Sequence, residues 1–134
     1  MVTGGGPLDV ETIRKYCRAL PHVTEQIQWG EHLVFKVGGK CFAIANLGPV
    51  GNAISFKCSP EEFAELTEQD GIIPAPYLAR AHWVALESFE ALRAKELQER
   101  LSLAYQHVFE KLPKKSRQQL ESSGQRSRKI ARRA

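Results

Sequence analysis

The sequence predicts a two-layer α+β domain with its helices packed on one face of an antiparallel sheet, in the order α-β-β-β-α-β-α. Segments with apolar residues at helical spacing alternate with short segments in which apolar and polar residues alternate as in strands. Each predicted strand has one apolar face that helices have to cover. The chain has 134 residues, 43% of them hydrophobic, and this length is enough to bury a core without disulfides or a metal.

The first helix is predicted over residues 10–19. Asp9 is a good N-cap residue, and apolar residues recur at helical spacing from Val10 to Leu20. Pro21 follows directly and lacks the backbone N–H that a helix interior needs. The helix is therefore expected to stop before Pro21.

Three strands are predicted next, and the first two form a hairpin around Gly38-Gly39, a pair that readily adopts positive φ. A two-residue turn pairs Lys36 with Cys41 and Phe35 with Phe42. In this register, Leu33, Phe35, Val37, Phe42 and Ile44 face the core. The opposite face, with Cys41, Ala43 and Ala45, is expected to carry small side chains and to be wet. It is also expected to be basic, since Lys36 points outward there, as does Lys57 from the third strand, which is predicted over residues 52–58.

The second half of the chain contains two helices and a fourth strand. Ser59, Pro60 and Glu62 form the pattern of a capping box with proline at the first helical position, and Gly71 is expected at the C-terminal end of that helix. The fourth strand is predicted over residues 83–86. The third helix is predicted over residues 94–112, with an extra turn beginning near residue 88 as an alternative start. Pro113 follows directly and ends the helix. The shared core is expected to comprise Phe35, Phe42, Ile44, Ile54, Phe56, Phe63, Leu101 and Val108.

Charge divides the chain into a domain, residues 9–120, and two ends. Residues 1–113 contain 11 Lys and Arg and 14 Asp and Glu, a net charge of −3, whereas residues 114–134 contain 8 and 1, a net charge of +7. Residues 1–8 are predicted to be frayed. Residues 121–134 are predicted to be a disordered basic tail, because they contain too few apolar residues to offset the entropy of ordering. Such a tail could bind phosphates or an acidic partner, or it could serve only to keep the protein in solution.

Several classes of function are disfavoured. The three cysteines form no Cys-x-x-Cys pair and the beginning of the chain resembles no secretory signal, so a reducing cytoplasm is predicted. No apolar run approaches the ~18 residues of a membrane span, and no membrane partner is expected. Catalytic triads, phosphate-binding glycine loops and metal-ligand spacings are missing from the sequence. We therefore predict no enzyme activity, no catalytic residues, no cofactor and no metal.

Five segments of the sequence resemble the MmcQ/YjbR family of small bacterial proteins. They are the first helix through Leu20-Pro21, the segment VTEQIQWGEHLVFKVGGKCFAI, the segment FKCSPE, the segment PAPYL leading to His82-Trp83, and the segment AYQHVFEKLPKK. Together they cover residues 9–118. Two features depart from the family pattern: Val84-Ala85-Leu86 follow His82-Trp83 where the family commonly has Asn-Thr-Val, and the basic end extends beyond the usual stop.

The resemblance implies a fold similar to frataxin-like and secretion-chaperone-like domains. It also implies a relation to the double-wing fold, in which a curved antiparallel sheet contacts DNA. Family members are commonly described as predicted DNA-binding proteins, a description that rests on fold analogy.

Two functional hypotheses follow. In the first, the protein binds DNA through the exposed sheet face and the basic tail. In the second, it is a protein or small-ligand interaction module that uses the same sheet face or the segment from Tyr77 to Trp83, and binds no nucleic acid. The candidate binding residues are Lys36, Lys40, Lys57, Tyr77, Arg80, His82, Trp83, Lys114, Lys115, Arg117, Arg126, Arg128, Lys129, Arg132 and Arg133.

Overall fold

The computed structural model describes residues 9–28, 30–48 and 51–122. Its elements are α1 (Val10–Arg18), β1 (Val23–Gln28), β2 (His32–Val37), β3 (Lys40–Asn46), β4 (Ile54–Lys57), α2 (Pro60–Leu66), β5 (Ile72–Pro74), β6 (Trp83–Leu86) and α3 (Ala94–Glu110), with 3-10 turns at Ala79–Ala81 and Phe89–Ala91. Residues 114–122 are also helical. The predicted frayed residues 1–8 and residues 123–134 of the predicted tail lie outside the described residues.

The strands form one antiparallel sheet in the order β1-β2-β3-β4-β6-β5. The predicted α+β class is confirmed, and the sheet contains two strands that the sequence analysis did not predict. β1 and β5 are the two edges of the sheet. Edge strands bury little apolar surface, and β1 accordingly lacks a clear alternation of apolar residues, while β5 is three residues long and ends in Pro74.

The β2–β3 hairpin contains a β-bulge that changes the predicted register. Lys36 pairs with Cys41 as predicted, but Phe35 pairs with Ala43 instead of Phe42. The extra residue on β3 reverses the facing of every side chain beyond it. Ala43 and Ala45 therefore belong to the main core, and Ile44 packs on the opposite face. The predictions that Ile44 faces the core and that the two alanines face outward were wrong.

The main core lies between the sheet and helices α1 and α3. Phe35, Phe42 and Phe56 are fully buried there, and the Tyr105 ring of α3 meets the Phe42 ring edge-on at 5.7 Å. Of the other predicted core residues, Ile54 and Leu101 are buried in this core. Phe63 and Val108 pack against its margin while remaining partly exposed.

The opposite face of the sheet carries a second, smaller apolar cluster. Residues 75–82, here called the strap, cross this face and cover part of it. The cluster consists of Ala75, Trp83 and Ala85, with Cys41, Ile44, Ile73 and Leu78 packed against it. The centre of the face that was predicted to be wet is therefore apolar, because the bulge turns Ile44 toward the strap and the strap partly covers it.

Local signals in the sequence placed the helix starts correctly. The Asp9 carboxylate accepts a hydrogen bond from the Thr12 backbone N–H at 2.9 Å, and the capping box between Ser59 and Glu62 is complete. α2 ends at Leu66, however, so Gly71 (φ +83°) lies in the turn before β5 and does not cap the helix. The turn predicted near residue 88 is present as the second 3-10 turn.

We expect Phe56→Ala to lower the free energy of unfolding by about 3–5 kcal/mol, because a fully buried ring is lost and a cavity remains. Ile44→Ala serves as the comparison, since Ile44 is half-buried on the opposite face. Its loss should be clearly smaller. Urea denaturation of both variants measures the two values, and equal losses would contradict the register that the bulge imposes.

Candidate functional site

The end of the sheet where β3 and β6 begin is also where α3 ends. The Leu112 side chain, just beyond α3, packs directly on Gly38 in the hairpin turn: a Cβ added at Gly38 would lie 2.6 Å from Leu112 Cδ1. Gly38 also has a φ of +59°, which disfavours any residue with a Cβ. The hairpin tip and the end of α3 are therefore held together, and Lys40 is brought near Lys111.

A groove opens at this end of the sheet and consists of two adjoining pockets. The helix pocket, about 240 Å³, is lined by Lys40, Cys41, Lys57, Trp83, His107, Val108, Lys111 and Leu112. The sheet pocket, about 320 Å³, is lined by Gln28, Val34, Lys36, Gly39, Lys40, Cys41, Ile44, Leu78 and Trp83. The two pockets share Lys40, Cys41 and Trp83, and together we call them the lysine groove.

The lysine groove is cationic. Four ammonium groups line it, those of Lys36, Lys40, Lys57 and Lys111, and no Asp or Glu is among its lining residues. Within the described part of the chain, the salt bridges involve Arg14, Arg100 and His107 and none of these four lysines. The positive charge of the groove is therefore not neutralised by carboxylates of the described residues.

Lys57 is the most constrained of the four lysines. It is half-buried, and its ammonium group donates a hydrogen bond to the carbonyl oxygen of Ala81 in the strap. Burial and the nearby positive charge of Lys111 lower the pKa of Lys57. Desolvation and repulsion both oppose its charged form, so a bound anion would stabilise it.

Trp83 and Cys41, together with Lys40, form the part of the surface common to both pockets. The Trp83 side chain is 7% exposed, and the Cys41 thiol donates a weak hydrogen bond to the Ala43 carbonyl at 3.5 Å. Burial raises the pKa of Cys41 to about 11, so the thiol stays protonated at neutral pH and is a poor nucleophile. Cys17 and Cys58 are buried in the main core.

A hydrogen-bond network connects the wall of the helix pocket to α2. His107 Nε2 lies 2.8 Å from Glu62 Oε1, the oxygen that also accepts a hydrogen bond from the Ser59 backbone N–H. Arg100 lies 3.8 Å from the other Glu62 oxygen. Burial alone would raise the pKa of the Glu62 carboxyl, but the hydrogen bond from Ser59 and the contact with His107 outweigh it, so the pKa lies below its ordinary value of 4.5.

The sequence-predicted residues of the sheet and strap fall into two groups. Lys36, Lys40, Lys57 and Trp83 come together in the lysine groove. Three others, Tyr77, Arg80 and His82, lie on the strap and do not line the groove.

The strap residues do not share one surface with Trp83. Tyr77 is fully exposed at a φ of +67°, and Arg80 is exposed. His82 has a backbone φ of +62°, and its ring meets the Phe63 ring of α2 edge-on, with 5.6 Å between the ring centroids. Trp83 faces the groove instead.

The predicted basic residues after α3 are described in part. Lys114 and Lys115 are exposed in the helical residues 114–122, and Arg117 is half-buried. Since Lys111 lines the helix pocket, this basic segment begins at the rim of the groove. The remaining predicted residues, Arg126, Arg128, Lys129, Arg132 and Arg133, lie outside the described residues.

His107 and Lys111 line the helix pocket but were not predicted as site residues from the sequence. Their spacing of four residues places them on one face of α3, and this was the available signal. Neither residue was assigned to the site, because only the packing of Leu112 on Gly38 brings that face of the helix to the hairpin and Lys57.

The fold and the groove define a two-layer α+β domain with a cationic site at one end of its sheet. A model of the YjbR family matches residues 18–107, and the chain therefore belongs to this family, as the sequence resemblance predicted. The structure resembles the Deinococcus radiodurans protein DR2400, which has a DUF419 domain, with a TM-score of 0.74 and 30% sequence identity over 84% of this chain and 88% of that chain.

A protein from Pseudomonas syringae shares the fold, with a TM-score of 0.59 and 20% identity over 74% of this chain and 97% of that one. No significant match to a curated protein was found. Among the described residues, no helix is both long and apolar enough to span a membrane, and no group of three or more His, Cys, Asp or Glu side chains is arranged to hold a metal ion.

We expect Gly38→Ala to be more destabilising than Gly39→Ala. Both residues have positive φ, +59° and +81°, which costs a residue with a Cβ about 1–2 kcal/mol. Only the Cβ at position 38 also collides with Leu112; nothing lies within 4 Å of the one at position 39. In urea denaturation, the free energy of unfolding of Gly38→Ala should be lower than that of Gly39→Ala by about 1 kcal/mol or more. Equal losses would contradict the seating of Leu112 on the hairpin.

We expect Glu62 to contribute to stability in a pH-dependent way. Because its pKa in the folded protein lies below the ordinary value of 4.5, its contribution is present above that value and is lost as the pH falls through the folded pKa. Glu62→Gln should therefore weaken the fall in unfolding free energy on acidification. Glu61→Gln is the matched control, since it removes the same charge from an exposed position of α2. If the two variants gave the same acid profile, the proposed role of Glu62 would be wrong.

Proposed function

We propose that the protein binds nucleic acid through phosphate contacts made by the lysine groove and by the basic segment that begins at residue 114. The observation that carries the proposal is the convergence of Lys36, Lys40, Lys57 and Lys111 on one groove that no carboxylate lines. Phosphate neutralisation by lysine and arginine supplies most non-specific affinity for nucleic acid.

The negative net charge of residues 1–113 does not oppose this proposal, because much of that charge lies away from the groove. Glu11 and Glu25 pair with Arg14, and Glu65 and Glu96 pair with Arg100. Glu62 lies nearer the groove, but its carboxylate is already paired with His107 and Arg100. Exposed charges are screened over about 10 Å at moderate salt. A phosphate in the groove therefore interacts mainly with the four lysines.

The groove and the basic segment form one continuous binding surface in this proposal. The chain passes from Lys111 in the helix pocket to Lys114 and Lys115 within four residues. Residues 114–134 contribute 8 Lys and Arg in total. The groove would hold phosphates at defined positions, and the segment would add contacts that depend little on nucleotide sequence.

We further propose that this is a binding role and not a catalytic one, exercised in a reducing cytoplasm. The protonated Cys41 thiol is a poor nucleophile, and the other two cysteines are buried in the core. Cys41, Cys17 and Cys58 are all free thiols, which suits a reducing compartment.

Fluorescence anisotropy with labelled duplex DNA at several salt concentrations tests the nucleic-acid proposal. We expect the full chain to bind with an affinity that falls steeply with salt. Lys40→Glu/Lys111→Glu should weaken binding at least about tenfold and make the logarithmic salt dependence shallower by about 2, since each phosphate contact contributes about 0.9. Deleting residues 121–134, which contain five Lys and Arg, should make the salt dependence shallower than the groove variant does.

The matched control is Lys15→Glu/Lys95→Glu, which changes the net charge equally at exposed positions outside the groove. It should weaken binding much less than the groove variant. Equal weakening by both pairs would mean that only net charge matters and that the groove is not a site.

The interaction-module hypothesis is supported by one observation, the strap. Tyr77 projects fully into solvent from a backbone conformation that is unfavourable for a tyrosine. If the full chain binds no DNA even at low salt, the nucleic-acid proposal fails, and a protein or small-ligand partner at the strap becomes the better explanation.

A further inference from the structure

We propose that the helix pocket binds a phosphomonoester, the terminal phosphate of a nucleic-acid strand or of a free nucleotide, in preference to an internal phosphodiester. This deepens the proposed function, and rests on it where the phosphate belongs to a strand end. Lys57 supports this proposal, because its half-buried ammonium group lies near the positive charge of Lys111 in a pocket with no carboxylate among its lining residues.

A half-buried cation beside a second cation is unfavourable without a counter-charge. The only hydrogen bond of the Lys57 ammonium group in the described part of the chain goes to the Ala81 carbonyl, which is neutral. Lys40 adds a third ammonium group at the rim. An anion in the pocket would contact all three and supply the missing negative charge.

The charge of the pocket favours a terminal phosphate. A phosphomonoester carries a charge of about −1.5 to −2 at neutral pH and three strong acceptor oxygens, whereas an internal phosphodiester carries a charge of −1 only. α3 closes one side of the helix pocket through His107, Val108 and Leu112, and the hairpin and β4 supply Lys40 and Lys57. A volume of about 240 Å³ accepts a phosphate and its first attached atoms, but not a duplex.

The sheet pocket offers a place for the group attached to the phosphate. It adjoins the helix pocket at Trp83, and its surface includes the apolar side chains of Ile44 and Leu78 together with Lys36. Aromatic and aliphatic side chains of this kind accommodate a nucleobase face, while the polar rim accommodates a sugar. The two pockets thus match the two ends of one nucleotide.

Tryptophan fluorescence of the full chain carrying Trp29→Phe tests this proposal, because the chain has two tryptophans and Trp83 is then the remaining reporter. The probes are short oligothymidylates with a 5′-phosphate, with a 3′-phosphate or with hydroxyls at both ends, together with thymidine 5′-monophosphate, thymidine and inorganic phosphate. We expect at least one phosphorylated oligonucleotide to bind about tenfold more tightly than the hydroxyl form.

Lys57→Gln/Lys111→Gln should abolish that preference, since the glutamine at position 57 keeps a donor for the strap but removes the charge. Lys15→Gln/Lys95→Gln, which removes the same charge at exposed positions outside the groove, should retain the preference. Urea denaturation of each variant checks that the fold is intact. If the double variant unfolds, Lys111→Gln alone, at an exposed position, should still reduce the preference.

The outcomes separate this proposal from the nucleic-acid proposal. Equal binding of phosphorylated and hydroxyl oligonucleotides by the unmodified groove would overturn the phosphomonoester site and leave nucleic-acid binding intact. Binding of thymidine 5′-monophosphate, but of no oligonucleotide, would support the site with a free nucleotide as its source and overturn nucleic-acid binding. Retention of the preference in Lys57→Gln/Lys111→Gln would overturn the assignment to the helix pocket.

Discussion

The contact between Leu112 and the Gly38 turn is the constraint on which the candidate site depends. It places the end of α3 on the tip of the β2–β3 hairpin, so close that a Cβ at position 38 would fit only if the Leu112 side chain moved. Lys40, from the hairpin, and Lys111, from the helix end, consequently line the same pocket with Lys57. The basic segment from residue 114 also starts at this point. A small steric requirement thus unites charges from distant parts of the chain.

The second face of the sheet explains why the groove is confined to one end. The bulge at Phe42 turns Ile44 away from the main core, and the strap covers Ile44 and Ala85 with Ala75 and Leu78. The sheet therefore does not offer the broad wet face that the alternation of residues in the sequence predicted. The positive charge lies near the end of the strap, where the Lys57 ammonium group donates a hydrogen bond to the Ala81 carbonyl oxygen.

Net charge is a poor guide to the electrostatics of this protein. Residues 1–113 are net negative, yet several carboxylates are paired with Arg14 or Arg100, away from the groove. The groove lysines have no carboxylate partner among the described residues, and burial destabilises the charge on Lys57. Local arrangement, more than the sum of charges, decides where an anion is stabilised, because exposed charges are screened over short distances while half-buried charges are screened much less.

The sequence by itself determined the features that depend on neighbouring residues. Asp9 and the Ser59–Glu62 capping box mark helix starts, and Gly38-Gly39 marks the hairpin, because each satisfies a backbone requirement within a few residues. The tertiary structure alone decided the bulge, the edge strands β1 and β5, and the meeting of His107 and Lys111 with Lys40 and Lys57. These features depend on which surfaces pack together across the domain. The local pattern of residues does not specify that Ala43 and Ala45 are buried under α3 while Ile44 faces the strap.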